Sequence, residues 1–497
     1  PPAERVELHP YNTKTNKYEM HKYIIDPVIA SAENVANYND FAFIAHARTA
    51  KTYRLDAAPA RASLVGGGQP ETDVWAYNGT VPGPALRLRQ GERVRIEVRN
   101  ALAQETTVHW HGLRVPNAMD GVPHVTQPPI APGGTFVYEF DLLDAGTFWY
   151  HPHAMSVEQI ERGLAGAFVV EEENPPAVDR DLVWVLDDWR LTREAQIAGD
   201  FVNFMDASHA GRIGNTITLN GRIPEAFAVK AHERLRLRLV NVANARIFAL
   251  EFRGLAPLVI ALDGHPAPPH ASEGGRIVLG PGMRADVILD IGEIAGGRAP
   301  VVDSYYAQRT YNLVDLVVEG SARPAPLKET IRLSDNPLPA LDLKNAVRHA
   351  IEFGGGMMDP KLMRARRPDG GMDPEAMRGV RERMAAGRIW TVNGRAVMVL
   401  GHGHEPLFAL RPGATCILDL ANETAWAHPI HLHGVVFRAL ERNGRAPARI
   451  EWRDTELLHP GERATLAFVA AEPGDWMLHC HVLEHQETGM MGIVRVG

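Results

Sequence analysis

The chain has 497 residues, 45% of them apolar and 23% charged, with a formal net charge of -8. That length exceeds what one core holds and fits roughly three domains, and the composition is that of a folded chain rather than a disordered one. An acidic balance with scattered arginines excludes nucleic acid or anionic lipid as a partner, and no apolar run reaches the ~18 residues of a membrane span.

Residues 1–46 stand apart as an arm of unclear role. Four of the eight lysines fall in the first 51 positions, together with Asn12, Asn16, Asn34, Asn37 and Asn39. Beyond the arm, short alternating runs punctuated by Gly and Pro, such as residues 93–98 and 234–239, predict β-strands throughout.

One pattern occurs three times. Asn78-Gly79 leads to Asn100, Asn220-Gly221 to Asn241 and Asn393-Gly394 to Asn422, each through an alternating strand, and a Pro-Gly turn follows at Pro132-Gly133, Pro281-Gly282 and Pro460-Gly461. Three copies imply three similar sandwiches. With the Pro-rich stretches 174–176 and 321–339 as linkers, the expected domains are 47–176, 177–322 and 323–497.

Copies one and three agree further. From Pro132 to His151, and again from Pro460 to His479, is 19 residues. Four His-x-His pairs occupy matched places in these two copies: His109 and His111, His151 and His153, His431 and His433, His479 and His481. Residues i and i+2 of a strand share a face about 7 Å apart, so each pair is expected to serve two different ions. Eight imidazoles from two copies then predict a metal cluster at the seam between them. Copy two has no such pair around residues 303–308 and is expected to be a spacer.

The third copy opens with an insertion carrying Met357, Met358, Met363, Met372, Met377 and Met384. Asp373-Pro374 reads as a helix start and Gly387 as its stop, which puts Met377, Val380 and Met384 on one face. That face is either an apolar lid stripe or a thioether collector of Cu(I). His402-Gly403-His404 reads as a loop feature, and Cys416 as a small buried apolar residue.

Cys480 lies between His479 and His481, so its side chain points to the opposite strand face and starts a second site. A thiolate with His485, Met490 and His428 is the ligand set of a blue electron-transfer copper. Copy one has Pro152 at the equivalent place and cannot build that site. Because Cys480 is claimed as a ligand, no disulfide with Cys416 is expected.

From residue 47 onward, the motifs His109-Trp110-His111-Gly112, His151-Pro152-His153, His428-Pro429-Ile430-His431-Leu432-His433 and the run 479–490 together resemble the multicopper oxidases. The resemblance implies three cupredoxin-like Greek-key β-sandwiches and four copper ions. His428, Cys480, His485 and Met490 match its type 1 ligands, and His109 and His431 its type 2 ligands. His111, His151, His153, His433, His479 and His481 match the ligands of the type 3 pair. It further implies oxidation of a small aromatic reductant or Cu(I), with O2 reduced to water, in a periplasmic or secreted protein.

Asp120 matches an acid used by the family to relay protons. A second acid common after the last type 1 histidine is replaced here by Gln486, which leaves Glu487 as the neighbouring candidate. Cuprous oxidases of the family place Asp and Met where this chain has Thr424 and Trp426. Laccase-like oxidation of phenols and aromatic amines is therefore the expected activity, with copper detoxification as a cuprous oxidase the alternative. A copper-binding protein without catalysis is a lesser one, since the full ligand set is present.

Overall fold

The computed structural model describes the strands Glu4–Leu8 and Met20–Ile24 and residues 50–497, apart from 330, 359, 361–373 and 402. Two compact units divide the chain at Arg48/Thr49. In the first, Glu4–Leu8 pairs antiparallel with Met20–Ile24.

The second unit holds six described sheets in three pairs, one pair for each sequence copy. In every copy the first strand runs parallel to the strand that ends on the repeat asparagine: Lys51–Ala62 with Arg93–Asn100, Arg180–Trp189 with Arg234–Asn241, and Val347–Gly355 with Thr415–Asn422. The rest of each of these three sheets is antiparallel, the mixed pattern of an all-β Greek-key sandwich.

The recurring residues hold the same posts in all three. Asn78, Asn220 and Asn393 sit at positive φ (53°, 53° and 49°), a conformation asparagine tolerates in tight turns. Their side-chain oxygens accept from the N–H of Asp56, Val185 and Glu352. Asn100, Asn241 and Asn422 are buried, and each carbonyl oxygen accepts from the N–H of its own Pro-Gly turn, at Gly133, Gly282 and Gly461. The Asn241 amide donates to the carbonyls of Arg246 (2.8 Å) and Leu279 (2.9 Å) and accepts from Ala243 N–H (3.0 Å). Asn100 and Asn422 make the corresponding bonds.

Each sandwich closes over its own core: Leu55, Val94, Ile96 and Phe140 in the first, Leu235, Leu237, Leu250 and Val287 in the second, Phe353, Leu418, Leu466 and Trp476 in the third. Smaller apolar sets join them. Val122 and Val125 pack with Met477, Met491 and Ile493 across copies one and three, and Trp149 and Ala167 with Val185 and Val240 across copies one and two.

Alternation in residues 234–239 would put the arginine face in water, yet Arg236 and Arg238 are buried. Arg236 bonds Glu172 and Asp286 (both 2.6 Å), and Arg238 bonds Asp181 (2.7 Å) and Thr147 (2.9 Å). Copy one covers that face, and the guanidinium forks are satisfied by carboxylates, which is how a charge is tolerated inside.

The insertion forms the helix Pro374–Ala385, and Gly387 (φ 70°) ends it by donating to the Met384 carbonyl. Met363, Met372 and Asp373 lie outside the described residues, as do the side chains of Met377 and Val380, so the proposed stripe is not placed. Cys416 is buried in the third core, where burial pushes its thiol up to about 12, and it is free. His404 sits in a turn donating to Gly401, and His402 lies outside the described residues.

Removing the Asn241 amide strands two carbonyls and one N–H in the middle core. Asn241→Ala is therefore expected to destabilise that sandwich by roughly 2–4 kcal/mol. Scanning calorimetry checks this, and an unchanged thermogram would contradict the role given to the repeat asparagine.

Candidate metal centre

The His-x-His pairs lie in register on neighbouring strands. On His109–His111 and Gly146–His151, His109 faces His151 and His111 faces Trp149. On His428–Leu432 and Gly474–Cys480, His431 faces His479. Copies one and three bring these strands together, and all eight imidazoles are buried in one place.

They divide by distance. His111, His151 and His481 form one triad and His153, His433 and His479 a second, each with its donor atoms within 4.8 Å of one another. His109 and His431 converge with His111 in a third group. Three of the four pairs thus split between groups, as the strand spacing requires, while His109 and His111 meet in the third.

Six of the rings are aimed by what their other nitrogen touches. A carbonyl or carboxylate oxygen can only accept, so the ring nitrogen facing it carries the proton. His109 Nδ1 donates to the Asp120 carbonyl (2.7 Å), His431 Nδ1 to the Asp454 carbonyl (2.8 Å), His151 Nδ1 to Pro152 (3.0 Å) and His479 Nδ1 to Cys480 (3.0 Å). His433 Nδ1 donates to Asp120 Oδ2 (2.8 Å). His111 is reversed: its Nε2 faces Asp454 Oδ1 (3.2 Å) and its Nδ1 faces inward.

The inward nitrogens fit a metal. Nε2 of His109, His151, His153 and His431, Nδ1 of His111 and both nitrogens of His481 are buried with no hydrogen-bond partner, and His433 Nε2 faces His479 Nε2 at 3.1 Å. So many unpaired lone pairs in one place would be costly unless cations filled the space between them. Burial, and after it the neighbouring imidazoles, hold His151, His153, His433 and His479 well below the usual histidine range, and His481 is brought down to about 3. The rings are therefore neutral and able to coordinate.

On the other face of the strand, Cys480 Sγ lies 3.4 Å from His428 Nδ1 and 3.6 Å from His485 Nδ1, and the two Nδ1 atoms are 3.0 Å apart. The outer nitrogens are fixed, His428 Nε2 on Thr424 Oγ1 and His485 Nε2 on the His209 carbonyl (both 2.8 Å). Met490 is fully buried beside them. Its N–H donates to the His485 carbonyl (2.9 Å), and its carbonyl accepts from Cys480 N–H (3.1 Å). Two neutral imidazoles, a thiol and a thioether suit a soft copper site.

Sequence profiles described as multicopper oxidase match residues 60–175 and 375–497. A multicopper oxidase of Mycobacterium tuberculosis, MmcO, is 30% identical over 90% of this chain and 87% of its own length. The chain belongs to the multicopper oxidases.

The crystal structure of a multicopper oxidase from Pseudomonas thermotolerans is 34% identical, with a TM-score of 0.78, over 90% of this chain and 99% of that one. CueO of Ochrobactrum sp., described as a laccase-like multicopper oxidase active on lignin model compounds, is 29% identical with a TM-score of 0.74, over 90% of this chain and 97% of its own. As a multicopper oxidase, this enzyme works with four coppers, of types 1, 2 and 3. No described helix is long and apolar enough to cross a membrane.

Asp120, expected from the family resemblance, is buried against both His433 and His109. Glu487 has another place. Its carboxylate accepts from Val157 N–H (3.0 Å) at the start of the helix Ser156–Glu161, and burial raises its carboxyl above the usual range. Gln486 is buried near Ser156.

Three further groups were not expected from the sequence: Asp454, which holds His431 and His111 together, Thr455, whose hydroxyl lies between the same two rings, and the His209 carbonyl. No local spacing marks these residues, because Asp454 is 343 positions from His111 and His209 is 276 from His485.

Cys480→Ser removes the thiol that stands with His428 and His485 in the one sulfur-containing group among the described residues fit for the type 1 copper. The copper-loaded variant is expected to lose its intense blue absorption and nearly all turnover while keeping cluster copper. A variant that stayed blue at full copper occupancy would contradict the site.

Proposed function

We propose that this multicopper oxidase is laccase-like, drawing electrons from phenols and aromatic amines at a type 1 copper held by His428, Cys480, His485 and Met490. In this reading His109 and His431 hold the type 2 copper, His111, His151 and His481 one type 3 copper, and His153, His433 and His479 the other. The observation that carries it is the separation of two neutral triads on one strand face from the Cys480 thiol on the opposite face. When bound, the coppers supply one-electron transfer and the four-electron reduction of dioxygen to water. Cys480 is one peptide unit from both His479 and His481, so a covalent link joins the two donor sets.

The donor-facing edge supports an aromatic substrate. Trp426 is half-buried, its ring 5.2 Å from that of His209, while the neutral Thr424 hydroxyl caps His428. A charged donor gains nothing from that hydroxyl, whereas a phenol gains stacking area. One observation favours the cuprous alternative. Met357 and Met358 meet the same edge, with Trp426 Nε1 donating to the Met357 carbonyl (2.9 Å) and Met358 exposed. An exported location, periplasmic or secreted, accords with either donor.

Asp120 is proposed as the proton carrier to the cluster, supported by its contact with His433. Glu487 is assigned a lesser part, since it is engaged at a helix start.

Two outcomes test these assignments. Trp426→Ala should raise KM for phenols several-fold with a smaller change in kcat, and phenols should be oxidised without added copper. A strong preference of the parent enzyme for Cu(I), untouched by the substitution, would establish the cuprous alternative. Asp120→Asn should leave reduction of the blue site by substrate fast and slow its reoxidation by dioxygen in stopped-flow traces. Normal reoxidation would remove Asp120 from proton delivery.

A further inference from the structure

The middle sandwich carries none of the proposed ligands, yet two of its residues reach the histidine seam. Gly282, in its Pro-Gly turn, has φ +82°, and a Cβ there would lie 2.8 Å from the His481 ring and 3.0 Å from the His111 ring. The bare turn is thus pressed against two of the three imidazoles of one triad.

Two residues on, Arg284 opens the strand Arg284–Asp290 and is fully buried. Its guanidinium touches all three copies. Nε donates to the Thr147 carbonyl of copy one (3.1 Å) and Nη1 to its own copy's Gly282 carbonyl (3.0 Å). Nη1 and Nη2 grip Asp454 Oδ1 (2.9 Å) and Oδ2 (2.6 Å) of copy three. The gripped Oδ1 is the atom that faces His111 Nε2 at 3.2 Å, and Thr455 Oγ1 donates to it at 2.7 Å. Gly112, next to His111, leaves the room required: a Cβ there would fall 2.2 Å from Arg284 Nη2 and 2.5 Å from Asp454 Oδ2.

We propose that Arg284 is a positioning residue for the oxygen-reducing cluster, which through Asp454 turns His111 so that Nδ1 faces the metal. The inference rests on the ligand reading above and adds to it a part for the ligand-free copy. Among the cluster rings with a hydrogen bond fixing one nitrogen against oxygen, His111 alone is held by Nε2. Its orientation needs a carboxylate at a set angle, and two parallel N–H donors set that angle where one point charge cannot. Without the fork, a buried carboxylate is free to swing and the His111 ring to turn with it. Partners behind metal ligands commonly change metal affinity by about 10–100-fold.

The test uses the full chain loaded with copper, with blue absorption as the internal measure of a folded third copy. Copper per chain, the type 2 EPR signal and the near-ultraviolet type 3 band are recorded for parent, Arg284→Met and Arg284→Lys. Arg284→Met should keep its blue colour, bind cluster copper about 10–100-fold more weakly and show an altered type 2 signal. Arg284→Lys should restore the cluster only in part. If Arg284→Met does not become blue, Arg284→Lys decides alone: weaker cluster loading at full blue intensity supports the role, and loading equal to the parent overturns it. Parental cluster affinity and spectra in Arg284→Met would also overturn it. A parent chain that loads only the blue copper would instead overturn the eight-histidine ligand reading, and this inference with it.

Discussion

Eight buried imidazoles facing one another, six of them tied to oxygen on their outer side, are the constraint from which the rest of this molecule follows. Burial and, after it, mutual repulsion hold His151, His153, His433 and His479 well below the usual histidine range, which preserves their lone pairs. An unpaired buried nitrogen costs about 1–3 kcal/mol, so the apoprotein carries an unfavourable term that coordination removes. The rings cannot relax away from it, because backbone carbonyls of Asp120, Pro152, Asp454 and Cys480 hold their outer nitrogens. Four of the eight therefore take their aim from main chain, which only the sandwich strands and turns can place.

The repeat supplies that main chain three times and then departs from itself where chemistry is needed. In the third copy, Asn422 Oδ1 accepts from the N–H of residue 424, as its counterparts do at Leu102 and Ala243. Here residue 424 is a threonine, and its hydroxyl adds the bond to His428 Nε2. A structural asparagine shared by all copies thus becomes the footing of His428 in one. The Pro-Gly turn behaves similarly: it is pinned to the repeat asparagine in each copy, but in the second copy it also lies against His111 and His481.

What could be read from the sequence was whatever repeats at short range. The three sandwiches, the turn asparagines, the His-x-His faces and the opposite-facing Cys480 all follow from strand period and motif spacing. Asp120 was legible only through the family resemblance. Asp454, Thr455, Arg284 and the His209 carbonyl were not, because they act on residues hundreds of positions away and nothing in their neighbours marks them. The burial of Arg236 and Arg238 escaped for the same reason: alternation describes one sheet's two faces and is blind to a second sandwich covering the polar one.

The type 1 edge shows how one side chain can set substrate class without touching the metal. Both outer nitrogens of the copper-facing histidines are already engaged, one by Thr424 and one by the His209 carbonyl, so neither imidazole offers a free N–H to a donor. The Thr424 hydroxyl is fully used as well, taking the Trp426 N–H (3.1 Å) besides His428 and facing Asn422 Oδ1 at 2.8 Å. A carboxylate at that position would put a negative charge against the copper edge and attract a cation; a saturated hydroxyl does not. Recognition is left to the half-buried face of Trp426 and to His209, which favour a flat, neutral donor through stacking. With His209 supplied by the middle copy, that sandwich stands both beside the Cys480 group and against the eight imidazoles.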